Sequence, residues 1–124
     1  MQLLFESSEE GEGRGLGLLA GRVRTLRTRR RPHMGWNAVD GAGEPLVESS
    51  RLASAYFAHG FVCEPEDEGL VTAWTTHEDD RFASMIRCGN TLGVQFHPEK
   101  SSREGLALLR GALDAIRAAR GSAR

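Results

Sequence analysis

The chain has 124 residues, 40% of them hydrophobic, which is enough for one small globular domain and too few for two. Its 16 basic and 17 acidic residues give a formal charge of −1, so no overall basic field exists to gather nucleic acid or an anionic membrane surface. No run approaches the roughly 20 apolar residues of a bilayer span, and no basic, apolar and small-residue leader opens the chain, which makes a cytoplasmic, non-membrane protein the default expectation.

Taken in chain order, MQLLFESSEE sets Leu3, Leu4 and Phe5 ahead of an acidic run and reads as a short helical segment without a capping residue. The glycine-rich stretch 11–21 breaks it. Segment 22–31 holds Val23 and Leu26 among many arginines and predicts an exposed strand or strand pair; the cluster 27–31 is read as a solvated face. Segments 33–39, 52–62, 70–76, 81–87 and 91–96 are short, rich in β-branched or aromatic residues, and separated by Gly, Pro, Asp or Asn, so they predict strands.

Ser101 followed by Glu104 has the form of a capping box, in which each side chain satisfies a free backbone N–H at a helix start. Leu106, Leu109, Leu113 and Ile116 then recur at spacings of three and four, which places them on one helical face, with a polar tail at 118–124 expected to fray.

The stretch Gly93-Val94-Gln95-Phe96-His97-Pro98-Glu99-Lys100-Ser101 runs from a strand through a polar turn into that helix. Residues two apart in an extended chain point the same way, and Pro98 disfavours the helical conformation for His97, so His97 and Glu99 can face one site. A carboxylate on one imidazole nitrogen fixes the tautomer and leaves the other nitrogen free to take a proton from a thiol or hydroxyl. On spacing alone the signal is weak, because a His-x-Glu pair is more often an ordinary surface or turn feature. Cys63 and Cys88 are far apart and lack CxxC partners, so they read as reduced thiols, and the four histidines match no common zinc-ligand spacing.

GVQFHPEKS resembles the histidine and glutamate signature of class I glutamine amidotransferases, whose Cys-His-Glu triad sits on a flavodoxin-like α/β sheet. Three further segments, MQLLFESSEEG, GLGLLAGRV and PHMGWN, occur in an order similar to that in glutaminase subunits of imidazole glycerol-phosphate synthase, and the resemblance runs through nearly the whole chain. It implies residues 1–124 as the C-terminal part of a single α/β, flavodoxin-like domain, with no metal or organic cofactor.

By the same resemblance the nucleophile belongs to a GxCxGMQ elbow whose Met aligns with Met1, so the domain is expected to be truncated at its N-terminus, with the cysteine upstream. Catalytic roles then fall to His97 as general base and Glu99 as its orienter. Gln2, Glu10, Gly60 and Phe61 match positions of the glutamine pocket, although Gly60 and Phe61 stand where a small hydroxyl residue and a tyrosine are usual. Met34, Trp36, Asn37 and Lys100 resemble positions facing a cyclase subunit, the expected partner in a heterodimer, and Cys63 and Cys88 are structural bystanders. The implied activity is hydrolysis of glutamine to glutamate and ammonia for histidine synthesis. A different class of reading, a catalytically dead docking subunit that keeps only the partner-facing surface, also accommodates a chain without the GxC elbow.

Overall fold

A computed structural model describes residues 1–8 and 15–122. Eight strands and two helices are present among them: β1 (Phe5–Ser8), β2 (Leu19–Thr25), β3 (His33–Ala38), α1 (Pro45–Ser50), β4 (Ser54–His59), β5 (Phe61–Pro65), β6 (Val71–His77), β7 (Asp80–Cys88), β8 (Thr91–Val94) and α2 (Ser102–Ser122). Short 3₁₀ turns lie at Gln2–Leu4, Glu68–Leu70 and Pro98–Lys100.

The strands form three small sheets, ordered β1-β2-β5, β3-β4 and β6-β7-β8. β1 runs parallel to β2, and every other pairing is antiparallel. This is the mixed α/β architecture that the resemblance implies. A cluster of Phe5, Leu19, Val23 and Cys63 with Ala83 and Ile86 packs the first sheet on β7, while Leu26, Phe57, Phe82, Met85, Phe96 and Leu108 join β4, β7 and α2 in a second cluster. Asp40 and Trp74 exchange both backbone hydrogen bonds at 2.8 Å and tie the end of β3 to β6.

Several local expectations are corrected. Residues 1–8 of the opening segment are not an α-helix: after one 3₁₀ turn the chain enters β1, because Phe5, 1% exposed, pairs with Leu19 and fills the core. Segment 22–31 is not an exposed strand either, since β2 is the central strand of its sheet and Val23 and Leu26 are buried. Arg24 is buried there as well, because Asp80 grips its guanidinium at 2.8 and 2.7 Å and Glu64 pairs with its Nε at 2.8 Å. A buried cation is tolerable only when paired in this way.

Segment 52–62 splits at Gly60 into β4 and β5, which belong to different sheets. α1 was not foreseen: Glu44 caps it by accepting from the Leu46 N–H at 3.0 Å, Pro45 occupies the first turn, and Arg51 closes it in the left-handed conformation. α2 continues through Ser122. Its expected apolar face is not buried: Leu106, Leu113 and Ile116 are each 54% exposed, and Leu108 is the leucine that enters the core.

Candidate active site

The turn at Pro98–Lys100 carries the site. β8 delivers the chain into the core at Phe96, His97 stays extended (φ −98°, ψ 97°), and Pro98 starts the 3₁₀ turn at its first position. The His97 N–H donates to the Tyr56 carbonyl at 2.9 Å, which hangs the turn on β4. Ser101 completes the anchorage by a different route from the expected capping box. Its buried hydroxyl donates to the His97 carbonyl at 2.6 Å and accepts from the Tyr56 N–H at 3.0 Å, so it clamps the Pro98–Lys100 turn to β4.

His97 Nδ1 lies 2.8 Å from Glu99 Oε1. A carboxylate accepts, so Nδ1 carries the proton and the lone pair of the neutral ring sits on Nε2. The backbone N–H of Glu99 itself, the bond from His97, and the charges of His97 and Lys100 hold the Glu99 carboxyl below its ordinary range, so it is ionised at neutral pH. An imidazole oriented by an ionised carboxylate can accept a proton at Nε2 and return it.

His97 borders an open cleft of about 630 Å³ whose walls include Met1, Gln2, His59, Gly60 and Phe61. Three of the four expected pocket residues, Gln2, Gly60 and Phe61, are therefore brought together with His97. Glu10 lies outside the described residues. Gln2 Nε2 makes a long hydrogen bond, 3.4 Å, to the Phe61 carbonyl. Beyond its two chain neighbours nothing lies within 4 Å of where a Cβ on Gly60 would stand, so a small side chain would fit there.

Residues 1–114 match the sequence model of the family Glutamine amidotransferase class-I. The chain belongs to that family. Relatives among curated proteins include the imidazole glycerol phosphate synthase subunit HisH of Pyrococcus furiosus, 46% identical over 113 residues that cover 89% of this chain and 58% of that protein. The same-named subunits of Thermotoga maritima and Synechocystis are 46% and 41% identical, covering 88% and 87% of this chain and 52% and 54% of their own lengths. The chain thus spans a little over half the length of the curated relatives it matches.

In this amidotransferase chain the expected partner-facing residues divide. Met34 and Trp36 are exposed on the outer face of β3, and Trp36 meets Tyr56 edge-on at 6.3 Å. Lys100 Nζ stands 5.8 Å from the centre of the same Tyr56 ring, so exposed Trp36 and Lys100 flank the half-buried Tyr56 beside the Pro98–Lys100 turn. Asn37 is on the opposite face of β3, where it donates to the Thr76 carbonyl at 2.8 Å.

Burial pushes the Cys63 thiol up to about 12, so it is no thiolate at neutral pH, and it is enclosed with Val23 and Ile86 in the core. Cys88 ends β7, and neither cysteine lines the cleft. Two residues of the segment 56–61, whose backbone alone the resemblance tied to the glutamine carboxylate, stand out for their side chains. His59 is on the cleft wall, and Tyr56 joins the turn to exposed Trp36; each depends on the pairing of β4 with β3, which spacing along the chain does not reveal. Among the described residues no group of three or more His, Cys, Asp and Glu is placed to hold a metal ion. No described helix is long and apolar enough to cross a membrane.

Proposed function

We propose that this chain is the C-terminal part of a single-domain glutaminase subunit of imidazole glycerol-phosphate synthase, working in the cytoplasm. In this reading it hydrolyses glutamine to glutamate and ammonia and hands the ammonia to a cyclase subunit in a heterodimer that serves histidine synthesis. The observation that carries the reading is the His97–Glu99 pair, 2.8 Å apart, on a cleft shared with Gln2, Gly60 and Phe61. Met1 lines that same cleft, at the place where the family's elbow would deliver a cysteine from a preceding segment.

A thiolate there attacks the amide carbon of glutamine to give a tetrahedral intermediate. His97, having taken the thiol proton on Nε2, protonates the departing nitrogen, and ammonia leaves behind a thioester. Water then attacks the thioester carbonyl as His97 removes its proton, glutamate is released, and the departing thiolate takes that proton back from His97. Glu99 supports both steps by holding the ring and stabilising the imidazolium. Trp36, Met34 and Lys100 supply an exposed aromatic, apolar and cationic surface beside the site, a composition suited to a protein partner. Asn37 serves that surface from the inner side of the same strand. No organic or metal cofactor enters the chemistry.

The test uses the protein extended through a GxC elbow ahead of Met1, mixed with the cyclase subunit, and supplied in turn with glutamine and with ammonium salt. His97→Ala should lower glutamine-dependent synthesis by on the order of 10⁴-fold and leave ammonia-dependent synthesis intact. An equal loss with both nitrogen sources would overturn the catalytic assignment.

A further inference from the structure

His33 and His59 are both buried and stand opposite one another in the β3–β4 register, with His33 Nδ1 2.9 Å from His59 Nε2. Both ends of this contact are fixed by groups that cannot change role. His59 Nδ1 lies 2.9 Å from the Phe61 carbonyl oxygen, which only accepts, so that nitrogen carries a proton. The Ala38 N–H donates to Asn37 Oδ1 at 2.7 Å, so Asn37 Nδ2 is the donor end of its amide; it reaches the Thr76 carbonyl at 2.8 Å and His33 Nε2 at 3.2 Å.

The remaining protons follow without choice. His33 Nε2 accepts from Asn37, so a neutral His33 bears its proton on Nδ1 and donates to His59 Nε2, which accepts because His59 already donates from Nδ1. Every donor meets an acceptor in one direction, from Asn37 through two imidazoles to Phe61. Charging either ring, or moving either to the Nε2–H tautomer, sets donor against donor in a buried space, where an unmatched polar group is costly.

We propose that Asn37, His33 and His59 form a neutral, one-way hydrogen-bond relay that positions the Gly60–Phe61 backbone on the cleft wall for the substrate. These are positioning residues, and their service to glutamine rests on the glutaminase reading. The terminus of the relay is the relevant point of the fold. At Gly60 the chain leaves the β3-β4 sheet for the β1-β2-β5 sheet, so no continuous ladder holds it. The Gly60 carbonyl accepts from the Leu26 N–H at 3.0 Å, and the Phe61 carbonyl accepts from His59 and, at longer range, from Gln2. With both carbonyls held, the orientation of this backbone toward the cleft is set.

The surroundings keep the relay neutral. His33 is stacked against Phe57 at 4.9 Å and His77 at 4.1 Å, and Phe82 meets His59 edge-on at 4.9 Å. Burial, with the neighbouring charges of His59 and His77, lowers His33 from 6.5 to about 4. Burial also lowers His59, aided by His77 and His97 and opposed by the Phe61 carbonyl and Asp80. His77 is itself held at the surface by the Arg30 carbonyl at 3.1 Å and Glu78 at 3.5 Å.

The experiment has two arms on the elbow-bearing protein in complex with its cyclase. In the first, nitrogen-15 NMR reads the protonation of each imidazole nitrogen between pH 8 and 5; His33 and His59 should both remain neutral with the proton on Nδ1. An Nε2–H tautomer at either ring, or an imidazolium at pH 6, would overturn the relay whatever the protein catalyses. In the second, His59→Phe keeps the ring volume but removes both nitrogens, and His59→Asn restores a donor near the Nδ1 position. The Phe variant should raise KM for glutamine about five- to tenfold with little change in kcat, and the Asn variant should recover most of that loss. An Asn variant no better than the Phe variant would overturn the relay, and a Phe variant with unchanged KM would make His59 a packing residue. Absence of glutaminase activity in the unsubstituted complex would defeat the functional reading alone, because the NMR arm still decides the relay.

Discussion

Two stripes of α2, about 100° apart around the helix, meet opposite environments. Ser101 and Gly105, then Leu108 and Ala112, recur at spacings of four, three and four and turn inward: Ser101 and Leu108 are buried, and Ala112 packs against the core. Leu106, Leu109, Leu113 and Ile116 recur at three, four and three and turn to solvent. The outward stripe is the more hydrophobic of the two, so apolar content does not select the buried side here. Close approach does. A Cβ on Gly105 would run into the Pro98 carbonyl oxygen, and one on Gly111 would come within 2.9 Å of Leu46 on α1. Small residues let the helix lie directly on the Pro98–Lys100 turn and on α1, and the leucines beside them are carried outward.

The contrast is broken most forcefully at its one large inward residue. Leu108→Ala should lower unfolding free energy by about 2–5 kcal/mol, as expected for deleting a fully enclosed leucine, measured by denaturant titration. A change of a few tenths would mean that α2 is not seated on the core in solution. Gly105→Ala comes next. Alanine favours a helix over glycine by about 1 kcal/mol, yet the added methyl forces α2 off the Pro98–Lys100 turn, so a net loss of about 1–3 kcal/mol is expected. In the elbow-bearing protein the same change should also reduce kcat, because the displaced turn carries Glu99 between His97 and Ser101. A stabilised, fully active Gly105→Ala variant would show that the close approach is not real.

How much of this could be read in advance depended on how local each determinant was. His97 and Glu99 were legible because only Pro98 separates them and dictates the backbone between. Most strands were legible from β-branched and aromatic runs bounded by turn residues. The opening decapeptide was not, since a short apolar run fits a strand as well as a helix until its partner, here Leu19, is known. Arg24 misled because its neutralising Asp80 is 56 positions away. Ser101 looked like a helix cap, but its hydroxyl is claimed by Tyr56, 45 positions back. The pairing of His33 with His59 spans 26 positions and exists only in the β3–β4 register. α1 has six residues and a glutamate cap, which leaves little periodic signal.

The smallest effect is expected on the outward stripe, and it tests the other half of the contrast. Leu113 is 54% exposed, and leucine and glutamate have similar helix propensities, so Leu113→Glu should change the stability of this chain by less than about 0.5 kcal/mol. The charge also interrupts the apolar row between Leu109 and Ile116, so light scattering at high protein concentration should fall. A loss of about 2 kcal/mol or more would mean that the stripe is covered in solution. Melting at several protein concentrations then separates the two ways of covering it. If a second copy lies on the stripe, the melting temperature of the unsubstituted chain rises with concentration and Leu113→Glu abolishes that rise. If the stripe folds back on its own chain, the melting temperature is independent of concentration and the helix is placed differently from the arrangement in which Ser101, Gly105 and Leu108 face inward.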